Sequence, residues 1–257
     1  MDGLSATRRT SQVYYEQIGE PTNLDHGVAF TCDRYPLFHD GNLFHDVLIR
    51  PESSLEAAWA EAEAFYAERG LTCWQWAPNE DQAIEPMAAF LHAKGFATET
   101  SLAMELKQYP EAEAFDEVRI IPARAMRKAY RQLLAEEVGR YSEAEQGGMI
   151  GAGLDRADDA SYDMHVAMIG GEPAGQAALF QVGDICSIED VYVSPAHRRK
   201  KVGTAIMHHL LQMARRLDTR MVCLRVLADN KAAKDLYRSL GFTACGEMTR
   251  FRRSAKG

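Results

Sequence analysis

The chain has 257 residues, 46% of them hydrophobic and 26% charged, and a net charge of −8. That is the composition of a globular protein able to bury a core large enough to offset chain entropy, so disorder is excluded. The negative balance argues against a general nucleic-acid binder. No run of eighteen apolar residues occurs, so no membrane-spanning helix is expected, and MDGLSATRRT lacks the apolar core of a secretory signal. Five isolated cysteines (32, 73, 186, 223, 245) suggest neither a disulfide framework nor a zinc site, and a cytoplasmic location follows as the expectation. Charge is unevenly spread. Residues 1–116 carry −13 and residues 117–257 carry +5, which points to an anionic ligand in the second half.

Leu37-Phe-His-Asp40 recurs as Leu43-Phe-His-Asp46, and Asp40-Gly41-Asn42 between them reads as a hairpin turn rather than a metal site. Residues 55–69 predict a helix closed by Gly70. A strand over 71–76 follows, with Trp74 and Trp76 on one face, then a helix over 84–94 closed by Gly95 and a strand over 96–106. Residues 107–116 are polar, contain Pro110 and read as a linker. Beyond it come a strand at 118–121, a helix at 123–138 and a glycine-rich stretch (Gly147, Gly148, Gly151, Gly153) with no clear assignment. Strands at 162–169, 174–182 and 185–193 turn at Gly170-Gly171 and Gly183-Asp184. A helix at 204–217, a buried strand at 221–227, a short helix from Asn230 to Leu240 and a last strand at 242–251 complete the chain.

The order helix, strand, helix, Gly-Phe, strand occurs twice. From strand start to glycine is 24 residues in one copy (71 to 95) and 20 in the other (221 to 241), which suggests a divergent internal duplication. The expected domains are residues 1–107 and 117–257.

Chemistry concentrates in two segments. In the first, a strand ends at Val193-Ser-Pro195, and the basic loop Arg198-Arg199-Lys200-Lys201-Val202-Gly203 opens a helix at Thr204. Unpaired N–H groups at a helix start, the helix dipole and four cations suit a pyrophosphate, although four basic residues in a row also suit a solvated surface. The second reads Asn230-Lys-Ala-Ala233 and Leu236-Tyr-Arg-Ser-Leu-Gly-Phe242. Taken singly, Asn230 is an ordinary N-cap and Tyr237 an ordinary packing residue.

In tandem, the two segments resemble the GNAT superfamily of acyl-CoA-dependent N-acyltransferases over roughly residues 117–252. The resemblance implies an α/β (α+β) fold in which a mixed sheet flanked by helices splays open to admit the pantetheine arm of acetyl-CoA, the acyl donor. With the repeat, it implies two GNAT-like lobes, the first degenerate. It places donor-binding groups at Val191, Tyr192, Val193, Arg198, Arg199, Lys200, Lys201, Val202, Gly203, Thr204 and Asn230, and a general acid at Tyr237. Glu189, on the strand before the splay, is the favoured general base, with a water chain as the other choice. Strand alternation turns its neighbour Asp190 to the opposite face. No metal is implied.

The chain departs from the pattern at Lys201, where the family has glycine. A side chain there crowds the pyrophosphate if the backbone needs positive φ, or else adds a charge contact. Where the repeat would place a second basic loop, the sequence reads Ile49-Arg-Pro-Glu-Ser-Ser-Leu55, with one cation and no glycine.

The expected function is acetyl transfer to an amine, probed against a non-catalytic acyl-CoA-binding regulator as the alternative. The expected partners are acyl-CoA and a small amine acceptor, with no nucleic acid and no membrane. A homodimer is compatible with the sequence, which leaves oligomeric state open, as it leaves the acceptor.

Overall fold

The structure is a computed structural model that describes residues 1–217 and 219–253. In chain order it contains α1 (Gly3–Glu16), β1 (Glu20–Leu24), β2 (Gly27–Thr31), β3 (Leu43–Val47), α2 (Leu55–Ala67), β4 (Gln75–Pro78), α3 (Ile84–Ala93), β5 (Phe96–Leu106) and β6 (Arg119–Pro122). Then follow α4 (Arg127–Glu137), α5 (Glu143–Arg156), β7 (Tyr162–Ile169), β8 (Glu172–Val182), β9 (Ile185–Val193), α6 (Val202–Arg216), β10 (Met221–Leu227), α7 (Lys231–Ser239) and β11 (Phe242–Arg253). No helix among the described residues is long and apolar enough to cross a membrane. The fold class expected from the sequence is the one observed: α/β, with mixed sheet flanked by helices.

The chain forms two compact units, each drawing on both halves of the sequence. The larger comprises Met1–Val13, Ser101–Arg140 and Gly153–Glu247; the smaller comprises Tyr14–Thr100, Tyr141–Ala152 and Met248–Gly257.

In the larger unit the strands run β5-β10-β9-β8-β7-β6, and only β9 and β10 are parallel. The apolar stripe of α6 (Val202, Ile206, Leu210, Leu211, Ala214) packs on Leu179, Cys186, Ile188 and Leu224, as its 3.6-residue spacing predicts. Arg215 and Arg216 close the helix at the end its dipole favours. On the other face of the sheet, Ala6 of α1 meets Ile185 and Cys223.

In the smaller unit the order is β1-β2-β3-β4-β11, again with one parallel pair, β3 and β4. Its core gathers Phe44, Ala58, Tyr66, Trp76, Met87, Leu91 and Phe251. Ser54 caps α2, its Oγ accepting from Ala57 N at 3.1 Å. Each unit therefore joins a parallel pair to an antiparallel strand from the opposite half of the sequence: β10 pairs with residues 101–105 of β5, and β4 pairs with Phe251 and Arg252 of β11. The two glycines matched in the sequence repeat both adopt left-handed φ, +86° at Gly95 and +93° at Gly241.

Several expectations are corrected. The first His-Asp pair makes no hairpin. Residues 39–41 form a 3-10 turn, braced by Asn42, whose Oδ1 accepts from Cys32 N at 2.9 Å and whose Nδ2 donates to Phe38 O at 3.0 Å. The strand expected at 71–76 is Gln75–Pro78, because pairing with β3 starts only at Gln75. Trp74 therefore lies before the strand and stacks on His39 at 4.2 Å, while Trp76 is fully buried. The glycine-rich stretch is α5, and its glycines allow close packing. A Cβ at Gly153 would meet Leu134 Cδ1 at 3.0 Å, and one at Gly151 would meet Tyr35 Cε1 at 2.5 Å. Residues 107–116 form no helix or strand, yet they are packed: Tyr109 joins the larger core and Phe115 contacts His208.

A fragment spanning residues 117–257 lacks the β5 residues that pair with Cys223–Leu227, and also the α1 residue that covers Cys223. An unpaired apolar strand edge promotes association. The fragment is expected to aggregate or remain unfolded, as read by size-exclusion chromatography and amide-proton dispersion; a dispersed monomeric spectrum would show that β5 is dispensable.

Candidate active site

The site begins where β9 and β10 part. Four residue pairs, from Ile185↔Met221 to Ile188↔Leu224, hold the strands in parallel register. Pairing then stops, although β9 continues to Val193 and β10 to Leu227. On its other side β9 stays paired with β8, and one extra β9 residue is accommodated there: Gln176 opposes Tyr192 but Ala178 opposes Glu189. Asp190 takes up the irregularity with φ 50°. This bulge re-aims the strand. Before it, even-numbered Cys186 and Ile188 face the α6 core; after it, odd-numbered Val191 and Val193 do. The alternation expected through Asp190 therefore fails.

Beyond the bulge, Ser194 N donates to Ala174 O at 3.0 Å. Antiparallel alternation then turns the peptide groups of Val193 away from β8, toward the opening. The Val193 carbonyl already accepts from Arg198 Nε at 3.3 Å. That carbonyl is thus engaged by the chain itself, with Arg198 folded back on the strand.

Arg198, Arg199 and Lys200 are exposed, and Arg199 and Lys201 have φ of 63° and 58°. Lys201 is the N-cap of α6 and its side chain makes no capping bond. The first-turn N–H groups of Val202, Gly203 and Thr204 thus have no side-chain acceptor from the cap residue, as an anion site requires. The backbone at Lys201 holds the left-handed conformation that glycine adopts at no steric cost. Its ammonium meets Glu113 Oε1 at 2.9 Å, which keeps the Glu113 carboxyl below its ordinary range. The charge contact thus goes to the chain's own carboxylate. The helix itself starts at Val202, two residues before Thr204. Gly203 serves packing, since a Cβ there would meet Leu236 Cδ2 at 3.2 Å.

Tyr237 is buried, with 5% of its surface exposed, on α7. Asn230 starts that helix as N-cap, Oδ1 accepting from Ala233 N at 3.1 Å. The capping role is the one the structure shows. Burial, and then the charge of Glu189, push the Tyr237 hydroxyl well above its usual range, so it stays protonated. Glu189 is half-buried and accepts from Ser187 Oγ at 2.5 Å. Desolvation raises its carboxyl, opposed by the charge of Arg225. Tyr237 belongs to the α6-side core while Glu189 lies on the opposite face, so their interaction runs across the sheet at the opening between β9 and β10.

The structure adds groups that the sequence reading passed over. Glu137, at the end of α4, accepts from Gln176 Nε2 at 2.9 Å. Glu136 Oε1 accepts from Ser194 Oγ at 3.0 Å. Asp190 accepts from Tyr162 OH at 2.5 Å and has Arg156 Nη1 at 3.8 Å. A signal for Glu137 existed: it stands four residues after Leu133 and three after Leu134, in line with the buried stripe of its helix though itself exposed.

The sequence pattern of the Acetyltransferase (GNAT) family matches residues 123–242. This region includes the β9–β10 opening, the α6 start and α7, and it belongs to that family. A streptothricin acetyltransferase from Streptomyces lavendulae is 33% identical over 105 residues, covering 40% of this chain and 56% of that protein; the chain thus spans about half the length of this curated relative. Among solved structures, a functionally unknown conserved protein from Staphylococcus epidermidis matches with TM-score 0.69 at 12% identity, over 95% of this chain and 99% of that one. A GCN5-related N-acetyltransferase from Kribbella flavida matches with TM-score 0.67 at 15% identity, over 100% and 98%. At these identities the likeness shows a shared fold.

Lys201→Gly and Lys201→Ala both remove the pair with Glu113, but only glycine relieves the left-handed backbone. Lys201→Gly is expected to be more stable than Lys201→Ala by about 1 kcal/mol in urea denaturation. Equal stability would mean that position 201 is not held at positive φ.

Proposed function

We propose that the chain transfers an acetyl group from acetyl-CoA to an amine. The observation that carries this reading is the unpaired stretch of β9 after Ile188, which leads into a basic loop and the uncapped start of α6. These groups fit the donor. The N–H groups of Val202, Gly203 and Thr204, with Arg199 and Lys200, suit its pyrophosphate. Val191, Tyr192 and the N–H of Val193 border the gap that would take its extended arm. Asn230 lies at the start of α7, on the same side as Tyr237. The Streptomyces relative is named as an acetyltransferase, which supports the reaction class.

In the reaction, a neutral amine attacks the thioester carbonyl carbon, a C–N bond forms and the C–S bond breaks. The amine proton goes to Glu189, whose raised carboxyl is a stronger base than an exposed glutamate. The departing sulfur takes a proton from Tyr237, which burial keeps protonated. Neither step calls on a metal.

Tyr237→Phe is expected to lower kcat about a hundredfold while acetyl-CoA still raises the melting temperature as in the parent. An unchanged kcat would remove Tyr237 as the acid; loss of the thermal shift would assign it to donor binding. In the parent, activity should rise with pH as Glu189 loses its proton, at a pH above the usual carboxylate range because burial raises that group. Glu189→Gln should abolish that limb of the pH profile. Persistence of the limb would give the proton to another base.

A further inference from the structure

The acyl-transfer reading leaves one feature of the acceptor face unexplained. Gln176 of β8 is fully buried. Its Nε2 is held by Glu137, but its Oε1 has no hydrogen-bond partner. A buried amide oxygen without a donor is costly, and it calls for an N–H or O–H donor. Directly opposite Gln176 on the sheet is Tyr192, three residues beyond Glu189 along β9. Gln176, Tyr192 and Ser194 share the face covered by the end of α4, where Glu136 and Glu137 bond Ser194 and Gln176. This face lies across the sheet from α6 and from the loop that suits the donor's pyrophosphate.

The two carboxylates bonded on this face, Glu137 to Gln176 and Glu136 to Ser194, are acceptors. Glu137 keeps more than a third of its surface accessible, yet surrounding protein and then the charge of Asp190 raise its carboxyl to about 8, with Arg140 opposing. The neighbouring charges are accounted for. Asp190 of β9 is bonded by Tyr162 and faces Arg156 of α5, Glu136 accepts from Ser194, and Tyr130 of α4 donates to Gly153 O at 3.2 Å. Burial, and then the charge of Asp190, keep the Tyr130 hydroxyl protonated. A ligand that offers only donors and carries positive charge complements this set; an alkylammonium has three N–H donors and no acceptor. An anion would meet Glu136, Glu137 and Asp190.

We propose that Glu137 and Gln176 Oε1, backed by Asp190, hold a second protonated nitrogen of the acceptor, so that the acceptor is a diamine or a longer polyamine-like cation. The inference rests on the amine acetyltransferase reading and names its substrate class. The nitrogen that reacts meets Glu189 at the opening, and the second nitrogen binds farther along β9. Binding a cation favours ionised Glu137, so the protein releases a proton on binding at neutral pH. Affinity rises with pH through about 8, where Glu137 ionises unaided.

The test is calorimetric titration with 1,5-diaminopentane and with n-pentylamine, with and without CoA, which cannot transfer an acetyl group. Two buffers of different ionisation enthalpy report the proton. The diamine is expected to bind at least about tenfold more tightly than the monoamine, the gain of one charge-assisted contact set, and to release a proton. Glu137→Gln should remove both the preference and the proton release and leave CoA affinity unchanged. Equal affinities, no diamine binding, or a preference that survives Glu137→Gln would overturn the proposal. Diamine binding without turnover of acetyl-CoA would keep this site and remove the transferase reading. Equal acetylation of both amines by the parent and Glu137→Gln would do the reverse.

Discussion

A β-strand inside a sheet normally satisfies the peptide groups on both of its edges, because a buried and unpaired N–H or C=O is expensive. β9 breaks that rule for the part of its length after Ile188, where β10 no longer follows it. The arrangement persists because the strand keeps its other edge paired with β8, and because part of the vacated edge is taken by the chain itself, through Arg198 on the Val193 carbonyl. What remains is a row of oriented peptide groups beside an apolar wall of Val191 and Val193. A ligand with an extended amide-containing arm can complete the ladder that β10 abandons.

The bulge at Asp190 has an equal share. Without the extra residue, Val191 would share a face with Glu189 and the apolar wall of the opening would point away from α6. With it, Glu189 stays on the face of Tyr192 and Gln176, while the valines turn toward the core. The apolar wall and the polar side chains are thereby sorted onto opposite faces of one strand. The left-handed φ of Asp190 is unfavourable for a residue with a Cβ, and a hydrogen bond from Tyr162 with the nearby charge of Arg156 holds that side chain in place.

These features were legible in the sequence to different degrees. Elements with long apolar periodicity, such as α6, or with glycine punctuation, such as β7 to β9, can be read directly, and the two tandem segments locate the basic loop and α7. α5 is hidden because its glycines answer to tertiary neighbours, Leu134 and Tyr35, which no local pattern reveals. The 3-10 turn at 39–41 is set by Asn42, whose bonds reach back to Cys32. Asp190 is misplaced because alternation assumes an unbroken ladder, and a one-residue bulge inverts every assignment after it. Lys201 is the reverse case. Its identity suggests a crowded loop if the backbone is left-handed, and the chain does adopt that glycine-like conformation with lysine.

The smaller unit shows why a parallel pair alone is insufficient. β3 and β4 repeat the arrangement of β9 and β10, and Asp46, like Asp190, lies at a register shift with positive φ. Yet β3 pairs with β4 from its first residue, Leu43, to its last, Val47. No stretch of strand is left unpaired there, so no row of peptide groups is available to a ligand arm. The chain after it offers one arginine and no glycine before Ser54 caps α2, and that side chain occupies an N–H of the first turn. Each requirement met by the β9–β10–α6 arrangement is closed in this one: the strand edge by continued pairing, the helix start by a side-chain cap, and the positive charge by its absence. A capped helix and a zipped strand pair satisfy their own backbone groups, which is the more stable arrangement in the absence of a ligand.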